Sequence, residues 1–419
     1  MTRIARPSRS SAHIDQRLIT YADPCVAPQP AAIFGCKHCS WSPPDISRNA
    51  TRLQPYRHTR GSTLPWFLCL SKPNDMISEQ NVVTARTAIV SALLNAPSLV
   101  PHVVIMHLPD QNTEDNDNFT EWLRQMNVPL VRHRLSFFDA LPRNTWKARA
   151  SGYKHPHHLN IGAYCRVDLP LIARDFSPKW RRLGIETERY LYTDTDVLFS
   201  NDVSADDIVD GRLLETFVGG TEVFSPSFNS GVLLVNASAL FEELPAMRRY
   251  AKERAFKFFL MDQQWMAEYF TPFPAPFSAD RAAFWQDWHV NVSKRIGWLK
   301  LRDSRWNARA YAHPRETEQF PAIWHWHGYK ITDVECWLKY LTNSSFELEH
   351  YPSVHGRNNI FRRFELRGKC KFIDVISHKH TSSLCWLRTY TWLRAMQLRM
   401  DELAATVLSP PAPPVTASA

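Results

Sequence analysis

A chain of 419 residues, 44% hydrophobic and 22% charged, has material for one large globular domain with extensions, or for two domains. The formal net charge of +9 suits anionic ligands or a solvated basic surface, but no Lys/Arg block is dense enough for nucleic acid, and no RNA-binding or zinc-finger pattern occurs. No run reaches the ~18 consecutive apolar residues of a membrane span, and the eight cysteines are too scattered for a disulfide framework.

Residues 1–62, rich in Pro, Ser and Arg without apolar period, are predicted to be a disordered leader. Arg3, Arg6 and Arg9 precede the first acid, Asp15, which is weakly transit-like, yet the apolar core of a secretory signal is missing. Cys36-Lys-His-Cys39 has metal-knuckle spacing with no second Cys pair at zinc-site distance. Order is expected from Leu64-Pro-Trp-Phe-Leu-Cys-Leu70, a buried strand. A helix follows with Val82, Ala85, Ile89, Leu93 and Leu94 on one face, then a strand at Val103–Met106, a helix at Phe119–Met126 and a strand at Val128–Arg134. Such alternation predicts a doubly wound α/β sheet. Ile161–Ala173 reads as helix, and Arg189-Tyr-Leu-Tyr192 as a buried strand that stops at Asp194. Val232–Val235 is another strand, with helices expected over about 244–257 and over 262–270. Residues 271–320, rich in Pro, Trp and Arg, are expected to be irregular, and Asp333 to cap a short helix. Trp386, Tyr390, Leu393, Met396, Met400 and Leu403 recur at helical spacing, which fits either a helix on a membrane surface or one packed on the preceding domain. Cys69 and Cys165 are expected as buried thiols. Sequons at Asn49, Asn118, Asn236, Asn291 and Asn343 matter only in a secretory lumen, and Asn236 lies in a strand-like run without room for glycan.

Four short motifs carry the chemistry: Tyr-Thr-Asp-Thr-Asp-Val at 192–197, Phe-Asn-Ser-Gly-Val at 228–232, Met-Asp-Gln-Gln at 261–264 and Trp-His-Trp-His-Gly-Tyr-Lys at 324–330. Ligands of open α/β sheets bind beyond the carboxyl ends of the strands, so a strand ending at Asp194 delivers Asp194 and Asp196 to a cleft. Cleaving a sugar–phosphate bond leaves charge on a diphosphate, which a divalent cation offsets as a Lewis acid. Hard oxygens suit Mg or Mn, and one imidazole tilts the choice to Mn. In an extended strand His325 and His327 point to opposite faces, so one of the two faces the metal. Gly328 permits close backbone approach to a phosphate and Lys330 supplies a point charge. Asn229 at a strand start, with Asp262 and Gln263 at a helix start, suits recognition of sugar hydroxyls and of the reacting centre, though turn and capping roles fit the same positions.

Taken in order, Tyr-Thr-Asp-Thr-Asp-Val, Phe-Asn-Ser-Gly-Val-Leu-Leu-Val-Asn, Asp-Gln and His-x-x-Gly-x-Lys resemble glycosyltransferase family 8, the glycogenin and lipopolysaccharide galactosyltransferase group. Ala163-Tyr-Cys-Arg-Val167 with Leu169-Pro170 resembles that family's Ala-x-Tyr-x-Arg-Leu helix, and the likeness runs over about 64–330. The resemblance implies a GT-A fold, with a mixed, mostly parallel sheet flanked by helices in 63–330; outside the likeness, helical spacing predicts a helical extension at 331–408, and the Pro-Pro-Ala-Pro-Pro end a disordered tail at 409–419. The resemblance also implies a UDP-sugar donor, Mn2+ or Mg2+, retention of anomeric configuration, and a glycan, protein or lipid acceptor. Asp194, Asp196 and His325 become the metal ligands, His325 because the family's ligand stands three residues before the glycine. Ser71, Arg166, Asp194, Gly328 and Lys330 fall on the donor, while Asn229, Asp262 and Gln263 are catalytic candidates, Gln263 nearest the anomeric carbon. Two features depart from the family: Lys330 is followed by Ile331-Thr332 instead of Pro-Trp, and no self-glucosylated tyrosine segment can be placed. Relatives often work in the Golgi behind an N-terminal anchor that this sequence does not show, so secretory and cytoplasmic placements both stay open. The alternatives are a sugar-nucleotide hydrolase or nucleotidyltransferase on the same sheet, though Leu70-Ser-Lys-Pro-Asn-Asp75 has no Gly-rich phosphate loop, and a non-catalytic glycan binder using its tryptophans.

Overall fold

The computed structural model describes residues 53–71, 79–108, 118–141, 161–212, 214, 216–221, 228–256, 258, 261–270, 298–301, 304–309, 321–325, 349–350, 361–366, 370–376 and 385–408. Its strands are β1 (Leu64–Ser71), β2 (Leu99–Met106), β3 (Leu130–His133), β4 (Arg189–Thr193), β5 (Val197–Phe199), β6 (Phe217–Thr221), β7 (Phe228–Asn236), β8 (Trp298–Lys300), β9 (Ala308–Arg309), β10 (Ile323–His325), β11 (Glu349–His350), β12 (Phe361–Leu366) and β13 (Cys370–Ile376). The helices are α1 (Glu79–Asn95), α2 (Asn118–Gln125), α3 (Ile161–Leu183), α4 (Ala205–Val209), α5 (Ala237–Glu253), α6 (Met261–Phe270) and α7 (Cys385–Leu408).

Seven strands form a mixed sheet in the order β3-β2-β1-β4-β7-β6-β8. The first four are mutually parallel, β7 runs antiparallel to both β4 and β6, and β6 pairs parallel with β8. Alternation in the strands sends side chains into two separate cores. Trp66, Leu68 and Leu70 of β1, with Leu191 and Leu234, join α1, α2 and α7 on one face. Phe67 and Cys69, with Tyr190, Tyr192 and Leu233, join α3, α5 and α6 on the other. Helices thus cover both faces, which is why β1 and β2 read as near-continuous apolar runs, β2 interrupted by His102. The mixed, mostly parallel sheet flanked by helices agrees with the expected fold class.

Several sequence expectations need correction. β2 begins at Leu99, four residues before the expected start, because Leu99 and Val100 are buried and Ser98 anchors the edge by accepting from the Thr63 and Leu64 N–H groups. α3 continues past Ala173 to Leu183 through Pro170 and Pro178, its apolar stripe extended by Trp180. α5 begins at Ala237 because the Asn236 side chain caps it, accepting from the Ala239 N–H at 3.1 Å. Part of 271–320 is regular, since β8 and β9 lie within it. The extension at 331–408 is not wholly helical. It carries the antiparallel sheet β11-β12-β13, whose sequence Phe-Arg-Arg-Phe-Glu-Leu departs from a helical period, as well as α7. Cys69 and Cys165 are not thiols but a disulfide joining β1 to α3, with Cα atoms 6.3 Å apart. The helix expected after Asp333, His327 and residues 1–52 of the expected leader lie outside the described residues. The rest of that leader, 53–62, instead packs on the domain, with Leu53 buried in the core and the Tyr56 N–H donating to the Met126 carbonyl at 2.8 Å.

One further tie orients α3. Asp168, fully buried, accepts from His133 Nε2 at 3.0 Å, from the Ser136 N–H at 2.7 Å and hydroxyl at 2.8 Å, and from Arg248 at 3.1 Å. β3, the segment after it and α5 therefore hold α3 two residues from Arg166.

Candidate active site

The site forms where β4 ends beside the start of β7. Thr193 pairs with Val232, so the chain leaves the sheet at Asp194 opposite Gly231, and the Asp194 N–H donates to the Gly231 carbonyl at 2.7 Å. Three residues on, β5 pairs antiparallel with β10, and that register sets His325 across from Val197, next to Asp196. The third strand of this small sheet, β9, is entered from Asn307.

These pairings collect residues more than 100 positions apart. His325 Nε2 lies 3.4 Å from Asp196 Oδ1 and 3.9 Å from Asp194 Oδ2, and the three ligand atoms fall within 4.8 Å of one another. His325 is fully buried, while the two carboxylates are partly exposed toward the cleft. Tyr192 donates its hydroxyl to Asp194 Oδ1 at 2.7 Å, and burial raises the phenol's pKa so far that it stays a donor.

Arg166 organises the second half of the site. Its Nη2 donates to Asp194 Oδ1 at 2.9 Å, its Nε stands 2.8 Å from Asp262 Oδ2, its Nη1 donates to the Ser230 carbonyl, and its guanidinium lies 4.7 Å from the Tyr192 ring centre. Burial works against this charge, but Asp194, Asp262, Tyr192 and Asp196 outweigh it and raise the pKa, so the guanidinium is fixed as a cation. Asp262 opens α6, and burial pushes its carboxyl up to about 6 against the opposing pull of Arg166. The capping role open to Asp262 in the sequence thus gives way to an ion pair in the site. Gln263 Oε1 accepts from the Ser230 N–H at 3.2 Å and its hydroxyl at 3.3 Å. Asn229 Oδ1 accepts from the Gly231 N–H at 3.1 Å.

The structure therefore brings together Arg166, Asp194, Asp196, Asn229, Asp262, Gln263 and His325. Ser71 ends β1 on the same edge of the sheet, packed so tightly against α3 that a Cβ on Gly162 would stand 3.1 Å from the Ser71 nitrogen. Gly328 and Lys330 lie outside the described residues. Asn307 is a participant that the sequence reading missed: buried, its Oδ1 is 3.0 Å from His325 Nδ1 and its Nδ2 3.1 Å from Asn229 Oδ1. The only signal for it was an amide beside Trp306 in an aperiodic stretch.

A divalent cation fits this group on two counts. Its donors are hard carboxylate oxygens with one imidazole, near three carboxylates offset by a single guanidinium among the described site residues. Gly231 lets these ligands close on one point, since a Cβ there would overlap His325 Cε1 and stand 2.7 Å from both Asp194 Oδ2 and His325 Nε2.

No protein-family model matches the sequence, and no curated protein matches it either. Among solved structures, similarity is found to the glycosyltransferase GlyE of Streptococcus pneumoniae TIGR4 (12% identity, 64% of this chain, TM-score 0.37), of which this chain spans only 57%. Mouse xyloside xylosyltransferase 1 is similar at 13% identity over 64% of this chain and 98% of that one, with a TM-score of 0.38. The bifunctional glycosyltransferase WbbM is similar at 12% identity over 67% of this chain and 48% of that one, with a TM-score of 0.40.

Proposed function

We propose that this chain is a metal-dependent glycosyltransferase of the GT-A kind that takes a sugar from UDP and transfers it to a glycan, protein or lipid acceptor with retention of anomeric configuration. The observation that carries the reading is the convergence of Asp194, Asp196 and His325 at the carboxyl end of β4, their ligand atoms within 4.8 Å of one another. Mn2+, or Mg2+, held there would supply Lewis-acid neutralisation of the departing diphosphate. The chain's own groups do the rest. Arg166 holds Asp194 and Asp262 in one ionic network and so aims both carboxylates. Ser230 fixes Gln263, which is assigned to the reacting face of the sugar together with Asn229 and Asp262. Ser71, Gly328 and Lys330 are assigned to the nucleotide and diphosphate. A secretory compartment such as the Golgi suits this reading, because a disulfide such as Cys69–Cys165 persists in an oxidising lumen.

The test is thermal unfolding with UDP, with and without Mn2+, followed by UDP release over a panel of UDP-sugars. UDP is expected to raise the Tm only when metal is present, and Asp196→Ala to lose on the order of 100-fold or more of sugar-dependent UDP release. UDP binding indifferent to metal, or full activity in Asp196→Ala, would sink the proposal.

A further inference from the structure

We infer that Asn307 is a positioning residue that sets the tautomer of His325, relaying the donor polarity of the Gly231 backbone N–H to the metal-facing nitrogen of the imidazole. A backbone N–H can only donate, so the Asn229 atom 3.1 Å from the Gly231 nitrogen is the carbonyl oxygen, Oδ1. That oxygen is also 3.1 Å from Asn307, which must then present its NH2 to it. The other end of the Asn307 amide is therefore its carbonyl oxygen, which only accepts, and it lies 3.0 Å from His325 Nδ1. Nδ1 accordingly carries a proton, which in the neutral ring leaves the lone pair on Nε2, the atom facing Asp196 at 3.4 Å and Asp194 at 3.9 Å. The opposite tautomer would set a lone pair against a lone pair at Asn307 and turn an N–H toward the metal position. Burial makes such a mismatch expensive, since Asn229, Asn307 and His325 are all at least nine-tenths shielded from water.

The same amide couples the two halves of the site. Asn229 cannot rotate its oxygen away from Gly231 without disturbing Asn307, and Asn307 cannot turn without disturbing His325. Gly231 itself carries the N–H that starts the relay, and its lack of a Cβ lets the His325 ring pack against it. Ligating histidines commonly donate their second nitrogen to a carbonyl or carboxylate, and loss of that partner costs 10–100-fold in metal affinity. The partner here is an asparagine 18 residues upstream, at the entry to the strand beside that of the ligand.

This inference rests on the metal-binding reading, and Mn2+ titration of the full chain, followed by the electron paramagnetic resonance signal of free Mn2+, tests the two separately. Wild type should bind saturably and Asp196→Ala should not. Asn307→Ala should bind on the order of 10–100-fold more weakly. Asn307→Asp should stay within about threefold of wild type, because a carboxylate accepts the same Nδ1 proton. Its second oxygen opposes Asn229 Oδ1, however, so kcat for sugar transfer should fall while metal affinity holds. Wild-type affinity in Asn307→Ala, or equal weakening in Asn307→Ala and Asn307→Asp, overturns the role of Asn307 while leaving the metal site standing. If Asn307→Ala does not fold by circular dichroism, Asn307→Asp decides alone, with a tenfold loss of affinity overturning the inference. No Mn2+ binding by wild type overturns both readings.

Discussion

Gly231 has no side chain, yet it decides whether the site can exist. Its carbonyl holds the Asp194 backbone, its N–H orients Asn229, and its missing Cβ lets the His325 ring and the Asp194 carboxylate stand where they do. No positive φ is needed at this position, so the requirement for glycine is one of space alone. Gly231→Ala is therefore expected to weaken Mn2+ binding on the order of 100-fold or more and to lower stability by about 1–3 kcal/mol through overpacking. Mn2+ titration and urea unfolding check the two effects, and wild-type metal affinity in this variant would place the ion elsewhere. Arg166 works in the opposite sense, through charge: its two carboxylate partners are tolerable in a buried site only because it sits between them. Asp194 and Asp196 were legible in the sequence because a buried strand plainly ended at them. Asn307 was not, because its meaning lies in two contacts across the fold, and an amide in a stretch without period gives no local hint of either.

Elements differed in legibility for reasons of the same kind. β1 and β2 were readable because both faces are covered, so their composition alone marks them. The far half of α3 was hidden by Pro178, since prolines such as this one and Pro170 usually end a helix. Tertiary packing overrides them: Trp180 and Phe176 close over Phe67 and His102, with ring centres 5.2–5.8 Å apart. The Cys69–Cys165 link was equally invisible, joining positions 96 residues apart that meet only when α3 lies on β1. The aromatic stack has a consequence for pH. Burial holds the His102 imidazole down to about 4, and its contacts agree, with Nδ1 2.9 Å from the Val100 carbonyl and Nε2 accepting from Trp180 Nε1 at 3.3 Å. A second ring proton would face the indole N–H. The folded pKa lies below the unfolded one of 6.5, so the unfolded chain takes up the proton first as pH falls. Stability from this group is complete above pH 6.5 and is lost toward pH 4, by about 2 kcal/mol between pH 7 and pH 5. His102→Gln, which can still donate to Val100 and accept from Trp180, should flatten that part of the urea-midpoint profile. An unchanged slope would remove His102 from the account.

At the scale of the molecule, the last helix bears on how the chain is organised. The sequence allowed α7 to lie on a membrane or to pack on the preceding domain, and the two readings compete for the same apolar face. In the structure Met400, Leu403 and Ala404 are buried with Ala85, Ala88, Ile89 and Trp122 in the core on the α1 and α2 side of the sheet. Trp122 donates its indole N–H to the Ala404 carbonyl at 3.0 Å, and Arg86 lies over the Trp122 ring at 5.6 Å. The described part of α7 thus spends its apolar face inside the protein, and no helix among the described residues is long and apolar enough to cross a membrane. The chain's end consequently stabilises the layer from which α1 supports β5, where Asn95 donates to the Phe199 carbonyl at 2.9 Å and Thr84 reaches Thr195 between the two aspartates at 3.2 Å. Removing side-chain volume from α7 should then be felt in solution, with no membrane present. Leu403→Ala is expected to cost about 2–5 kcal/mol by leaving a cavity under α1. Urea unfolding of the full chain in detergent-free buffer measures it. A helix whose apolar face belonged to a lipid surface would show no such loss, and its truncation to Ala would instead weaken binding to vesicles.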